Sequence, residues 1–430
     1  MKNKQILLLT SFHHILADGF HALAYPLLPV IAADLKLSYA QASLVRASFN
    51  TSSAALQVPA GMLAERFGEC TLMVLGNAWL AAGLLSMGLV RAFYPLLGAA
   101  VLGGLGGNTQ HPVGTSLISK VYDGEGRGQA IGTLNFSGDI GKLIAPPLVA
   151  FAATAWGYRT ALVLAGIVGL ASVLLLWLWS LKAGVARIAP PARAYASTTG
   201  TGHGGKGSAA AAGRASSTAV ASGSPDTLDG IPRAKTGGRR QAVWEEWGIK
   251  APIALATLVM IGVLDSSVRG STLTLLPFIL DKQGFDTRAV SGIFTVIFAG
   301  GATGKFLCGW IGDRFGTLAV IWGTEAVTAL AAVMFLVIPT WGLVPLALAF
   351  GFALNGTSSV LYAAVAPLVT LERRARAYGI YYTATISASA LSPVLYGALG
   401  DRIGLIPSFT IAAAVTLIVL PLSLCIRRYL

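Results

Sequence analysis

Uncharged apolar runs recur along the chain, each near the ~20 residues a helix needs to cross the hydrocarbon core of a bilayer. The first follows Met1-Lys-Asn-Lys and reaches about residue 31; five more read at about 41–64, 72–91, 94–118, 128–155 and 158–181. After a stretch of different composition, six others read at about 251–280, 287–311, 317–338, 343–369, 378–399 and 404–426. None shows the ~10-residue alternation of a barrel strand, and lipid offers no partner to an exposed backbone group, so the runs predict twelve transmembrane helices. The first run holds His13, His14, Asp18 and His21 without a small-residue cleavage site, the pattern of a retained helix rather than a cleaved leader.

Composition narrows this to an all-α polytopic membrane protein. Charged residues make up 11% of the 430 positions, against ~25% in soluble domains, which excludes a water-soluble enzyme. Residues 182–248 break the apolar pattern with segments such as Ser197-Thr-Thr-Gly-Thr-Gly, too poor in apolar bulk to form a core. They read as a disordered cytoplasmic linker between an N-terminal six-helix bundle (1–181) and a C-terminal one (249–430), with nine Lys/Arg against four Asp/Glu suited to an anionic leaflet. With the N-terminus inside, 21 of the 31 Lys/Arg fall on the cytoplasmic side and six outside (Lys36, Arg91, Arg159, Lys282, Arg288, Arg402), which predicts both termini in the cytoplasm. The net charge of +13 therefore follows the membrane and does not imply nucleic acid. Cys70, Cys308 and Cys425 are scattered, without disulfide or metal spacing. No Gly-x-x-x-x-Gly-Lys-Ser/Thr loop is present for ATP, and no cofactor or metal is implied.

The two halves repeat at an offset of about 247–248 residues. Gly61-Met-Leu-Ala-Glu65-Arg66-Phe-Gly68 recurs as Gly309-Trp-Ile-Gly-Asp313-Arg314-Phe-Gly316, Pro26-Leu-Leu-Pro29 as Thr274-Leu-Leu-Pro277, and Asp18 as Asp265. Asn108 matches Asn355, Arg127 matches Arg374, Gly132 matches Gly379, Pro146 matches Pro393, and Gly157 matches Gly404. Parallel repeats of a six-helix unit are a transporter architecture. The loop after the second helix resembles the signature of the major facilitator superfamily, Gly-x-x-x-Asp-Arg-x-Gly. The second copy matches it fully, and the first departs by Glu65 for Asp and by Glu69-Cys70 where basic residues are usual. His14-x-x-x-Asp18, Pro26-Leu-Leu-Pro29, Gln57-Val-Pro-x-Gly61, His111-Pro112 and Gly138-Asp-Ile-Gly141 are similar to the fosmidomycin-resistance-like efflux branch. The resemblance implies two six-helix bundles around a cavity that opens alternately to each side, with Gly61, Glu65, Arg66 and Gly68 and their twins Gly309, Asp313, Arg314 and Gly316 forming gating loops.

Ionisable residues inside the spans cost ~2.5–3.5 kcal/mol each on insertion scales and mark pathways or pairs. Asp18 lies mid-span, with His14 four residues before and His21 three after on one helical face, a set suited to proton coupling. His13 lies off that face and reads as polar packing. Asp139 and Lys142 stand three apart, Asp265 and Arg269 four apart; each spacing allows an intrahelical ion pair that substrate or proton can break. Arg46, His111, Lys142 and Arg269 are candidate substrate-binding residues. Lys305, one turn above Gly309, reads as a snorkelling or gate residue, and Glu325 has no assigned partner.

The expected function is secondary active transport; the branch resemblance implies proton-driven export of a small molecule by a monomer in a bacterial inner membrane, and the cations Arg46, Lys142 and Arg269 suit an anionic one. Proton symport of a small anion or sugar is the alternative on the same fold, because Gly141-x-x-x-Ala145-Pro146 is only part of the exporter pattern. A non-transporting sensor or scaffold is the third, disfavoured because a scaffold gains nothing from intramembrane charge. Beyond the substrate, protons and the lipid bilayer no partner is expected.

Overall fold

The structure, a computed structural model, describes residues 2–107, 110–122, 127–184, 249–370 and 374–429. Beyond position 184 the linker read over 182–248 lies outside the described residues, as do the side chains of Glu65 and Asp313. The described chain is almost wholly helical; its one bridge, Ile249 to Val369, is an isolated antiparallel contact.

The N-terminal half comprises α1 (Lys2–Ala22), α2 (Ala24–Leu35), α3 (Tyr39–Ala55), α4 (Gln57–Phe67), α5 (Glu69–Leu89), α6 (Phe93–Gly107), α7 (Gln110–Val121), α8 (Arg127–Trp156) and α9 (Tyr158–Lys182). The C-terminal half comprises α10 (Pro252–Lys282), α11 (Thr287–Phe315), α12 (Thr317–Met334), α13 (Leu343–Ala363), α14 (Arg374–Ile403), α15 (Leu405–Val415) and α16 (Val419–Leu424). Proline explains two of the divisions. Pro26 has no N–H for the Ala22 carbonyl and Pro59 none for Ala55, so one rod turns at Leu23 and the next at Leu56. Joined end to end, α1–α2, α3–α4, α6–α7 and α15–α16 count as single rods, giving the twelve expected spans. Among the described residues eight segments are long and apolar enough to cross a bilayer. Of the remaining rods, α3, α8 and α14 carry the contacts between the halves.

The repeat is visible in the backbone. Gly68 (φ 87°) and Gly316 (φ 88°) end equivalent helices, and Gly157 (φ 82°) and Gly404 (φ 96°) start equivalent ones, in a region L side chains rarely adopt. Ser38 caps α3 through the Gln41 amide, and Asp286 caps α11 through the Ala289 amide at 2.8 Å. Within each half α1 packs on α8 as α10 packs on α14, and α3 packs on α6 as α11 packs on α13. The halves meet along α3 with α14 and α8 with α11.

The hydrophobic cores fix the conformation. One core joins both halves at the end distal to the chain termini, where Leu28, Ala32 and Ala42 pack with Leu273, Leu276, Phe278 and Phe294. Polar contacts reinforce this seal: the Asp401 carboxylate accepts the Tyr39 and Ala40 amides at 2.8 and 3.0 Å, and Arg288 Nε donates to Thr154 Oγ1 at 2.7 Å. At the end bearing the termini, the cores are separate, one built on Ile6, Met73 and Leu117 and the other on Leu258, Ile321 and Val369. The bundle is sealed at the distal end, and its halves are separately packed at the terminal end.

Candidate functional site

Small residues let the charged centre form. A Cβ on Gly141 would strike the Ile15 carbonyl, and one on Gly138 would lie 2.5 Å from Asp18 Oδ2 and 2.9 Å from His14 Nε2. The Gly138-Asp-Ile-Gly141 segment therefore brings α8 against α1 and leaves room for two polar side chains at the seam.

Asp18 is 5% exposed and is surrounded by cations and imidazoles. Lys142 Nζ lies 2.7 Å from its Oδ2, His14 Nε2 3.6 Å from the same oxygen, and His111 Nε2 3.6 Å from Oδ1. The His14 and His111 rings meet edge to face at 4.8 Å. Lys142 also bonds Asp139 Oδ1 at 3.1 Å, and Asp139 accepts Lys305 from the other half at 3.0 and 3.3 Å. A continuous chain of alternating charge runs Asp18–Lys142–Asp139–Lys305 from α1 through α8 to α11. Each carboxylate thereby gains the compensation that a low-dielectric interior demands.

His14 Nδ1 sits 2.9 Å from the Leu134 carbonyl. A carbonyl only accepts, so Nδ1 carries hydrogen and Nε2 faces the Asp18 carboxyl. His14 Nε2 and Asp18 Oδ2 thus frame a position for one exchangeable proton. The donor atoms of His14, Asp18 and His111 lie within 4.8 Å of one another, a spacing that a metal ion can use. The Lys142 ammonium against Asp18 opposes a second, doubly charged cation there.

In the C-terminal half, Arg269 Nη2 donates to Asp265 Oδ2 at 2.5 Å and to Ser266 Oγ at 3.4 Å. Arg269 borders a cavity of about 520 Å³ that also reaches Lys305, Ser358, Tyr362, Tyr381 and Tyr382, within the ~300–1,000 Å³ usual for small-molecule sites. Buried Glu325 lies within electrostatic reach of Asp265 and Arg269.

The expected intrahelical pairs Asp139–Lys142 and Asp265–Arg269 both form. His111 joins Asp18, which spacing along the chain did not suggest. His21 sits elsewhere, its ring edge-on to Phe49 at 4.9 Å. Arg46 is buried, stacks over Tyr25 at 4.2 Å and lines an apolar crevice away from the central cavity. His13 packs as read, its ring nitrogen and carbonyl on Asn77. Of the two readings of Lys305, snorkelling is not what the structure shows: the side chain crosses to Asp139, because α8 and α11 pack together. In the loops, Arg66 and Arg314 are exposed, and Arg314 lies 5.9 Å from both the Trp310 and Phe315 rings. Gly61 and Gly309 lie within α4 and α11 as those helices approach their ends at Gly68 and Gly316. The tyrosines of the cavity were missed; nothing in their spacing separates them from interface anchors.

The family model described as Major Facilitator Superfamily matches residues 10–286 and again 255–429. The chain is 26% identical to a gallate transporter of Pseudomonas putida over 433 aligned residues, covering 95% of this chain and 90% of that protein. It is 24% identical to the fosmidomycin resistance protein of Escherichia coli over 147 residues, which cover 34% of this chain and about a third (36%) of that protein's length. Among solved structures, a bacterial homologue of the human lysosomal transporter Spinster superposes with a TM-score of 0.73 at 15% identity, covering 100% of this chain and 97% of that one.

Proposed function

The chain belongs to the Major Facilitator Superfamily, and from that premise we propose that it is a secondary active transporter moving a small organic anion together with a proton. The observation that carries this reading is the double engagement of Asp139, whose carboxylate holds Lys142 behind it and the cavity lysine Lys305 in front. An anion in the cavity and the Asp139 carboxylate compete for one ammonium. A proton on the carboxylate network releases Lys305 to the anion, and an anion on Lys305 leaves the network ready for a proton. Linkage is reciprocal, so proton and anion favour each other's binding. Favouring each other is the condition for travel in the same direction.

His14 and Asp18 take the proton, Lys142 relays the change in charge, and Lys305 and Arg269 receive the substrate. When the Asp139–Lys305 contact opens, one tie between α8 and α11 is lost and the halves are freer to rock about the cavity. The Gly61–Gly68 and Gly309–Gly316 loops act as latches at the terminal end. With basic residues concentrated at that end, the chain sits in a bacterial inner membrane with both termini cytoplasmic, and the cavity faces the cytoplasm.

Export against protons is the second reading, favoured by the partial match to the fosmidomycin resistance protein. Vesicles containing the full chain, an imposed pH gradient and a panel of small organic acids separate the cases. Accumulation down the proton gradient is the expected result. Movement against it establishes export, and the absence of any coupled flux leaves only a scaffold.

A further inference from the structure

We infer that Arg46 receives the anion in the distal-open state, a second station of the path that the present conformation keeps shut; the inference rests on an organic anion being carried by alternating access. The repeat shows how the station is made. With the caps Ser38 and Asp286 aligned, an offset of 248 sets Ser43 on Ser291 and Arg46 on Phe294. One position of the scaffold thus carries a cation in the N-terminal half and a ring in the C-terminal half. Tyr25 of α2 meets both. The Arg46 guanidinium lies 4.2 Å from its ring centre, and its ring stacks on Phe294 at 5.5 Å and meets Phe298 at 6.1 Å. Because Phe294 and Phe298 stand on α11, these ring contacts close the distal seal beside the arginine.

Closure leaves the guanidinium unmatched. Arg46 is 5% exposed; among the described residues no carboxylate pairs with it, and its Nε and Nη1 have no hydrogen-bond partner. Its neighbours in the crevice, such as Phe20, Leu27, Val45 and Leu84, are apolar. Lys142, Lys305 and Arg269, by contrast, each hold a carboxylate. A ring face returns only part of what burying an ion costs, so the chain does not complete this site by itself. Ser43 lies one turn before Arg46. A Cβ on Gly397 of α14 would stand 2.9 Å from its Oγ, which also lacks a partner. Parting α3 from α14 and Tyr25 from α11 therefore opens both side chains to the distal face.

An anion supplies what the site lacks. In the present conformation the cations that border the cavity are Lys305 and Arg269. Once the distal end opens, an anion entering there meets Arg46, whose free N–H groups bond its oxygens while the charges offset each other. Resealing returns Arg46 to the Tyr25 face and passes the anion on to Lys305 and Arg269.

Phenylglyoxal, which modifies accessible guanidinium groups, tests this on the full chain in lipid nanodiscs, with the adduct at Arg46 read by peptide mass spectrometry. Maleimide alkylation of Leu37→Cys in a cysteine-free background reports opening of the same end. Lactate and benzoate serve as organic anions, and chloride as the inorganic control. At least one of the two acids is expected to slow modification of Arg46 about tenfold without slowing alkylation of Leu37→Cys. Arg46→Met is expected to slow that alkylation about tenfold, since the seal no longer buries an unmatched charge, and Arg46→Lys to keep it within about threefold. Equal slowing of both reactions means that the acid only closes the distal end, and equal protection by chloride means an inorganic anion site. Either result overturns the inference, as does an Arg46 that stays unreactive or unprotected. If Arg46→Met is not monodisperse, protection of the wild-type chain decides. Protection without proton-driven uptake of either acid upholds the station and sinks the symport reading. Proton-driven uptake with Arg46 unprotected does the reverse.

Discussion

Asp18 and Asp265 occupy equivalent positions in the two halves, and each holds a cation, but the cation comes from different places. Arg269 stands on the same helix as Asp265, so the pair travels as a unit however α10 moves. Lys142 reaches Asp18 from a neighbouring helix and is shared with Asp139, which in turn holds Lys305 of the other half. At the offset of 247 the C-terminal counterparts of His14, His111, Asp139 and Lys142 are Ile261, Ser358, Ile386 and Ser389. Conversely, Leu134 and Asn135 stand where the other half has Tyr381 and Tyr382. One scaffold thus carries two chemistries. Charge that helix motion can make or break lies in the N-terminal half, and a rigid pair with an aromatic, hydroxyl-rich wall lies in the C-terminal half. Coupling needs the first property and selective binding the second.

Asp18→Asn breaks this contrast most severely. Coupling to one proton supports ~100-fold accumulation across two pH units, tenfold per unit, and the variant is expected to bring that ratio to about one while exchange at equal pH persists. Unchanged gradient-driven accumulation would remove Asp18 from the mechanism. Next comes Lys305→Met, which deletes a charged donor from the cavity. Substrate affinity is expected to fall ~10–100-fold, with Asp139→Asn in the same background restoring none of it. A titration showing wild-type affinity for Lys305→Met would separate the cavity from the charge chain.

Gly138→Ala addresses packing. Its new Cβ has no room beside Asp18 and His14, and overpacking of this kind costs ~1–3 kcal/mol, to be read as a lower midpoint in thermal unfolding with coupled transport reduced further. The equivalent position already carries a side chain, Thr385, so Thr385→Ser is expected to leave the midpoint nearly unchanged. The smallest effects belong to the distal seal, where the halves differ again. Asp401 accepts two amides at the start of α3, while its counterpart Thr154 accepts only Arg288. Asp401→Ala is expected to favour opening of that end by ~1–2 kcal/mol and Thr154→Ala by ~0.5–1 kcal/mol. Alkylation rates of Leu37→Cys in a cysteine-free background measure both, and an equal response would deny the asymmetry.

The sequence by itself determined the twelve rods, the duplication and the turns between them. Apolar run length, proline placement and glycine at positive φ act within one or two helical turns, so they can be read locally. It also identified Asp18, Asp139, Lys142, Asp265 and Arg269, because a charge inside an apolar run stands out, and the two intrahelical pairs follow from spacing alone. Only the tertiary structure decided that His111 and Lys142 converge on Asp18, that Lys305 crosses to Asp139, and that His21 and Arg46 stand apart. Those contacts span up to 166 residues of chain, and they depend on which helix faces pack together, which small residues such as Gly138 and Gly141 set in three dimensions. The tyrosine wall was hidden for the same reason. An aromatic ring in a membrane helix looks alike in sequence whether it meets lipid, a neighbouring helix or a cavity, and packing alone distinguishes the three.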